Sequence, residues 1–238
     1  MAPKVVLISG ANRGLGKGLL ERYLARPNHI VIAANRNPEH PTSKALDELP
    51  KGQGSRLVVI KIDASIESDA AEGIGKLISQ GIEHLDIVIS SAGELLGHLT
   101  PDLFGMIWLY QATLPLLKLS ANPKWITIGS VGAKIEDLRE QPPIPNAAYA
   151  TSKIAAHWLT KRMNHEEEWL TAFVLHPGWV DTDMGRAVAD AFGGSDKIDI
   201  PFITLEESCG GMVKLINEAT KESRGGRFWG YDGVQESW

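Results

Sequence analysis

Apolar and polar positions along the chain fall into two alternating patterns. Short β-rich runs with little polar interruption occur at Val5–Ser9, His29–Ala34, Arg56–Ile62, Leu85–Ile89, Trp125–Ile128 and Thr171–Leu175, and Arg227–Tyr231 reads as a final strand. Between them, apolar residues return at helical spacing over Lys17–Ala25, Ser65–Gln80, Asp102–Leu119, Asn146–His165 and Leu205–Ala219. Glu67 and Asp69 open the second of these helices, where acidic residues suit the positive end of the dipole. Strands without polar alternation are buried on both faces, so they belong in a parallel sheet covered by helices on both sides. Right-handed crossovers then predict a Rossmann-type, doubly wound α/β fold of about seven strands, as one domain over residues 1–238. Two segments break the pattern. Lys134–Ala147 is polar and rich in proline and is expected to form a surface loop. Asp183–Thr204 has loop composition, with Gly193-Gly194, and residues 183–205 are expected to act as a substrate lid.

Composition narrows the function. The 238 residues are 43% hydrophobic and 22% charged, with a net charge of −5. That is ordinary globular composition, and without a basic run it offers nothing to nucleic acid or to an anionic membrane. Cys209 is the only cysteine, so an intrachain disulfide is excluded and a thiolate zinc site is disfavoured. The histidines are scattered without paired carboxylates, so no metal site is expected. No apolar stretch is long enough to span a bilayer, and the first ten residues lack a signal peptide's apolar core. A cytoplasmic protein is the expectation.

Chemistry enters after the first strand. Gly10-Ala11-Asn12-Arg13-Gly14-Leu15-Gly16 stands between a predicted strand and a predicted helix. Glycines there allow a tight turn and close approach of backbone to a pyrophosphate, and the helix N-terminus supplies amide donors. The spacing is G-x-x-x-G-x-G. At the end of the second strand, where an acid would hold a ribose 2′-hydroxyl, the chain has Asn35-Arg36. Arg36 and Arg13 together suit a 2′-phosphate, which two guanidiniums can fork, so NADP(H) is favoured over NAD.

On the helix over Asn146–His165, Tyr149 and Lys153 lie four residues apart and therefore on one face. A nearby ammonium favours the phenolate and makes the phenol a better acid, matched to protonating a developing alkoxide. Trp179, Phe192 and Phe202 are candidates to line an apolar pocket for an aromatic ketone, whereas Trp125 and Trp158 are expected in the core.

These motifs, in this order, make the chain resemble the short-chain dehydrogenase/reductase family over nearly its whole length. Ser9 to Gly16 match its glycine motif, and Asp63-Ala64 follow the third strand. Ser91-Ala92-Gly93 follow the fourth, Ile128-Gly129-Ser130 end the fifth, and Tyr149-x-x-x-Lys153 and Pro177-Gly178 with Thr182 complete the set. The run Trp169–Met184 and the Gly225-Gly226-Arg227-Phe228 ending are similar to fungal ketoreductases of the norsolorinic-acid type. The resemblance implies a ketoreductase acting on a small carbonyl or alcohol substrate. It implies that Ser130 bonds the carbonyl, Tyr149 donates the proton, and Lys153 tunes Tyr149 and holds the nicotinamide ribose. It further implies that Asp63 contacts the adenine, that Gly93 lets the cofactor pass, and that Pro177, Gly178, Val180 and Thr182 frame the nicotinamide.

The chain departs from that family in three places. Ser90-Ser91 stands where an asparagine often precedes Ala-Gly. The loop between Ser130 and Tyr149 is longer than usual. The stretch from Gly93 to Gln111 is shorter by several turns, and Asp102 falls where the family has an asparagine that orients a relay water. The missing turns are expected to weaken a homodimer. They also favour a rival reading, a cofactor-binding protein with impaired redox turnover that serves as a sensor, a partner subunit or a non-redox enzyme.

Overall fold

A computed structural model of the chain describes residues 2–93, 99–136, 147–191 and 202–238. Seven strands pair in parallel: β1 (Lys4–Ser9), β2 (His29–Asn35), β3 (Arg56–Lys61), β4 (Ile87–Ser90), β5 (Lys124–Ile128), β6 (Thr171–His176) and β7 (Phe228–Gly230). An eighth, β8 (Gln235–Glu236), adds antiparallel to β7, one more strand than the sequence pattern predicted. The order is β3-β2-β1-β4-β5-β6-β7-β8. Among the described residues the α-helices are α1 (Gly14–Leu24), α2 (Pro41–Lys44), α3 (Glu67–Ser79), α4 (Gly105–Leu117), α5 (Ala147–Glu166), α6 (Asp183–Ala191) and α7 (Leu205–Glu218). The fold is the expected doubly wound one.

β1 shows why apolar runs make this architecture. Val6 and Ile8 pack with Leu19 and Leu20 of α1 and Met212 and Ile216 of α7. Val5 and Leu7 point the other way, to Ile74 and Leu77 of α3 and Leu109 and Leu116 of α4. Successive strand residues face opposite sides, so a strand between two helical layers has no position for polar side chains. Each such buried aliphatic side chain contributes about 1.5–3 kcal/mol.

β1 and β4 are neighbours from which the chain departs in different directions, and the crevice beyond their carboxyl ends is where open α/β sheets bind ligands. Ser9 closes the floor of that crevice. Its Oγ accepts the N–H groups of Ser91 and Ala92, both at 3.0 Å, and so ties the end of β1 to the end of β4.

Several expectations are corrected. The helix expected from Asp102 begins with a π-helical turn over Thr100–Phe104, and regular α4 follows. Trp125 is fully buried as expected, but Trp158 is 61% exposed, because it faces outward from α5. The expected loop from Asp183 opens as α6, since Thr182 Oγ1 accepts the N–H of Gly185 at 3.1 Å and supports its first turn. Residues 192–201 of that segment, including Phe192 and Gly193-Gly194, and most of Lys134–Ala147 lie outside the described residues. Among the described residues no helix is long and apolar enough to cross a membrane.

Candidate active site

The glycine loop leaves β1 at Gly10, whose φ of +67° is the left-handed region that glycine adopts without a Cβ clash. A Cβ on Gly16 would stand 2.2 Å from the Gly10 carbonyl oxygen, so only glycine lets α1 start this close to the turn. Gly14 meets little but Thr182, whose Cγ2 would be 3.9 Å from a Cβ there. The glycine loop and Thr182 therefore lie close together. No side chain caps the start of α1. Its first amides and the positive end of its dipole are left for an anion.

At the end of β2 the structure shows what Asn35 does. It is buried, its Oδ1 accepts the N–H of Ala11 at 2.9 Å, and its Nδ2 donates to Ser43 Oγ at 3.2 Å. Ser43 Oγ donates in turn to the Asn37 carbonyl at 2.8 Å. Asn35 is thus a neutral brace between the glycine loop and α2. Sequence reasoning noted only the missing acid. The available signal was an amide, which both donates and accepts, at a strand end beside a loop with unpaired amides. Asn12 Nδ2 adds a second tie, donating to Thr42 Oγ1 at 2.8 Å. Arg13 and Arg36 are exposed.

Asp63 serves its own turn: Oδ1 accepts the N–H of Ser65 at 2.9 Å, and its N–H donates to Asp69 Oδ2 at 2.9 Å. Ala64 and Ala92 line the same narrow opening beside Ser9.

The candidate catalytic residues gather beyond the ends of β4 and β5. Lys153 is 8% exposed, and its Nζ donates to the Ile128 carbonyl at 3.1 Å and lies 5.6 Å from the centre of the Tyr149 ring. Ser130 Oγ accepts the N–H of Gly132 at 3.1 Å. That occupies one lone pair and leaves the O–H to donate. A Cβ on Gly93 would stand 3.1 Å from Asp102 Oδ1 and 3.5 Å from Lys153 Nζ, so carboxylate and ammonium flank this glycine. Asp102 is buried. Ser152 Oγ lies 2.7 Å from the Tyr149 carbonyl and 3.3 Å from Asp102 Oδ2, and its single hydrogen favours the nearer acceptor. The π-helical turn thus sets Asp102 against the same glycine as the lysine despite the shortened segment.

Pro177 to Thr182 form the far wall. Gly178, at φ +81°, packs against Ile203 and Tyr231, and the Pro177 carbonyl accepts from Ser208 Oγ. Val180 is buried and bridges to Ile203. Trp179 and Phe202 meet edge to face, with ring centres 5.9 Å apart.

One neighbour of the site escaped the sequence reading. His157 Nε2 accepts the N–H of Ser130 at 3.3 Å. Its spacing, four residues beyond Lys153 and eight beyond Tyr149, was the signal, since such residues share a helical face. Burial, with Lys153 and His176 nearby, pushes its pKa down to about 3, so it stays neutral. Among the described residues no cluster of histidine, cysteine, aspartate or glutamate is arranged to hold a metal ion.

Comparison with known proteins gives this geometry its context. The family model described as short chain dehydrogenase matches residues 4–191. The norsolorinic acid ketoreductase nor1 of Dothistroma septosporum is 36% identical, covering 93% of this chain and 87% of its own. The corresponding ketoreductase stcE of Emericella nidulans is 35% identical, covering 94% and 89%. Among solved structures, the NADPH-bound carbonyl reductase from chicken fatty liver superposes with a TM-score of 0.85 at 25% identity, covering 100% of this chain and 95% of that one. The loop, the serine at the end of β5 and the Tyr149–Lys153 pair thus come with a match over most of the chain, and this protein belongs to the short-chain dehydrogenase family.

Proposed function

We propose that the chain is an NADPH-dependent ketoreductase that reduces a carbonyl of a small aromatic or polyketide-derived substrate. The observation that carries this reading is the convergence of Ser130, Tyr149 and Lys153 beside an uncapped helix N-terminus and its glycine loop. The residues present fit a dinucleotide. Gly10, Gly14 and Gly16 give the backbone close approach, the α1 amides suit the pyrophosphate, and Arg13 and Arg36 suit a 2′-phosphate. Asn35, turned inward as a neutral brace, puts no carboxylate against that phosphate. Asp63, Ala64, Ser91, Ala92 and Gly93 would border the adenosine and ribose, and Pro177, Gly178, Val180 and Thr182 the nicotinamide. NADPH supplies the hydride when bound.

The chain's own residues do the rest. The Ser130 O–H donates to the carbonyl oxygen and orients it. The Tyr149 hydroxyl gives its proton to that oxygen as negative charge develops. Lys153 stabilises the phenolate that Tyr149 leaves behind and donates to the ribose. Trp179 and Phe202, with α6 as cover, offer an apolar wall suited to an aromatic ketone. The names of the fungal relatives support this substrate class. Cys209, buried and free, suits a reducing compartment such as the cytoplasm.

Asp102 favours a second reading. Its carboxylate flanks Gly93 together with the Lys153 ammonium, and an acid where the family has a neutral asparagine suits a slow enzyme or a cofactor-binding protein with impaired turnover. Self-association through α4 and the π-helical turn is a weak homodimer in our reading. The test is NADPH oxidation against a panel of aromatic and aliphatic ketones, with titration of NADPH and NADH. Arg36→Ala should weaken NADPH by roughly ten- to a hundredfold and leave NADH unchanged. Equal affinity of the wild type for both cofactors would end the NADPH assignment, and no oxidation with any ketone would favour the second reading.

A further inference from the structure

Three side chains of α5 stand on one face at successive turns: Tyr149, Lys153 and His157. The last two pin α5 to the end of β5, Lys153 through the Ile128 carbonyl and His157 through the N–H of Ser130. The contact is close. A Cβ on Gly129 would stand 2.4 Å from His157 Nε2, so the residue before Ser130 has to be glycine for the imidazole to reach.

His157 is itself held. It is 3% exposed, and its ring packs 4.7 Å from that of Phe228 and 6.1 Å from that of Trp238. Trp238 stacks on Phe228 with ring centres 5.9 Å apart, and Lys161 Nζ sits 4.5 Å over its indole. The Trp238 carbonyl accepts the N–H groups of Ile135 and Glu136, at 3.0 and 3.1 Å, just past Ser130 in the chain. Glu236 reinforces the join through Lys134, 3.3 Å away. The segment around Trp238 therefore grips both His157 and the backbone that leaves Ser130.

We infer that His157 is a positioning residue for Ser130, and that Trp238 clamps His157 and the 131–136 segment so that the Ser130 hydroxyl keeps its aim at the substrate carbonyl. An accepting Nε2 requires the proton on Nδ1, so the contact selects one tautomer. His157 touches neither substrate nor cofactor in this account and acts only through Ser130. The catalytic part of the inference rests on the ketoreductase reading, and the tautomer does not.

The test has two arms. In the first, ¹⁵N spectra of histidine-labelled protein, with no cofactor or substrate added, should show His157 as the Nδ1–H tautomer, and an Nε2–H tautomer would overturn the inference. In the second, His157→Leu should lower kcat by about tenfold at most, the scale of one neutral hydrogen bond. NADPH affinity should stay unchanged, and His157→Gln, which keeps an acceptor, should recover most of the rate. Trp238→Ala should lower kcat less, and Trp238→Phe should restore it. The deciding measurement is His157→Leu in a Ser130→Ala background, where it should cost nothing further. An equal loss in both backgrounds would overturn the inference while leaving the ketoreductase reading intact. An unchanged rate for Ser130→Ala alone would overturn both. If His157→Leu fails to fold, the Trp238 variants carry the same comparison in the two backgrounds.

Discussion

Two lysines are buried at opposite ends of the same sheet, and they are treated differently. Lys124 opens β5, is 1% exposed, and donates to the carbonyls of Ile216 at 2.8 Å and Asn217 at 3.0 Å. Those carbonyls belong to the last turn of α7, where the helix dipole is negative and donors are scarce. Burial nevertheless pushes the lysine's pKa down to about 8. Its surroundings are equally saturated: Asp86 accepts the N–H of Val5 at 2.8 Å and the hydroxyl of Ser120, and lies 3.3 Å from His84. Lys153, at the other end, has one carbonyl partner among the described residues, and the hydroxyls of Ser130 and Tyr149 donate to none of them. At the amino-terminal end Lys124 and Asp86 spend their polar groups on holding the fold, although His29 Nε2 and the Tyr23 hydroxyl are buried there without a partner. The carboxyl end leaves the Ser130 and Tyr149 hydroxyls unspent, and in the proposed reaction the carbonyl oxygen of the substrate would accept from both.

The contrast breaks first at Tyr149. Tyr149→Phe removes one unspent hydroxyl and should cut ketone reduction by roughly 10²- to 10⁴-fold while NADPH binding survives. Steady-state rates with a fluorescence titration of cofactor decide it, and a wild-type rate would show that Tyr149 is not the acid.

Swapping each lysine for methionine tests the comparison directly. Lys153→Met should damage turnover and NADPH affinity and leave the denaturation midpoint close to wild type. Lys124→Met should do the reverse, costing about 1–3 kcal/mol by leaving helix-end carbonyls without donors, at unchanged kcat. If both variants lose the same property, the division of labour between the two ends is wrong.

His157 sharpens the picture, because it is a structural group at the functional end. Its folded-state pKa of about 3 lies below the ordinary 6.5, so between those values the unfolded chain holds a proton that the folded chain does not. Stability therefore falls as pH drops below about 6.5. By pH 5 this one residue should cost about 2 kcal/mol. His176, pushed by burial to about 4, adds a loss of the same sign. Urea denaturation at pH 7 and pH 5 measures the sum, and coincident midpoints would contradict it.

The smallest expected effect is at Asp102. Replacing the carboxylate by an amide keeps the shape and removes the charge beside Lys153. Asp102→Asn should raise turnover roughly two- to fivefold, equivalent to about 0.4–1 kcal/mol. A turnover unmoved by the change would mean that the carboxylate does not slow the enzyme.

Much of this molecule was legible in one dimension. Both faces of each central strand are covered, so apolar runs such as Val5–Ile8 could be read as parallel strands without any contact being known. The glycine loop was legible because tight backbone approach admits only one residue type, and Tyr149 with Lys153 because helical periodicity alone puts them together. The tertiary structure decided what depended on chain segments far apart in sequence. Asn35 reads as the absence of an acid until Ala11 and Ser43 are seen against it, 24 and 8 residues away. Asp102 could be placed only by counting until the π-helical turn brought it to Gly93. His157 passed as an ordinary helix histidine, and Trp238 went unremarked, because nothing near either in the chain shows that they meet at Ser130. Local periodicity determines which way a side chain points, and folding alone determines what it finds there.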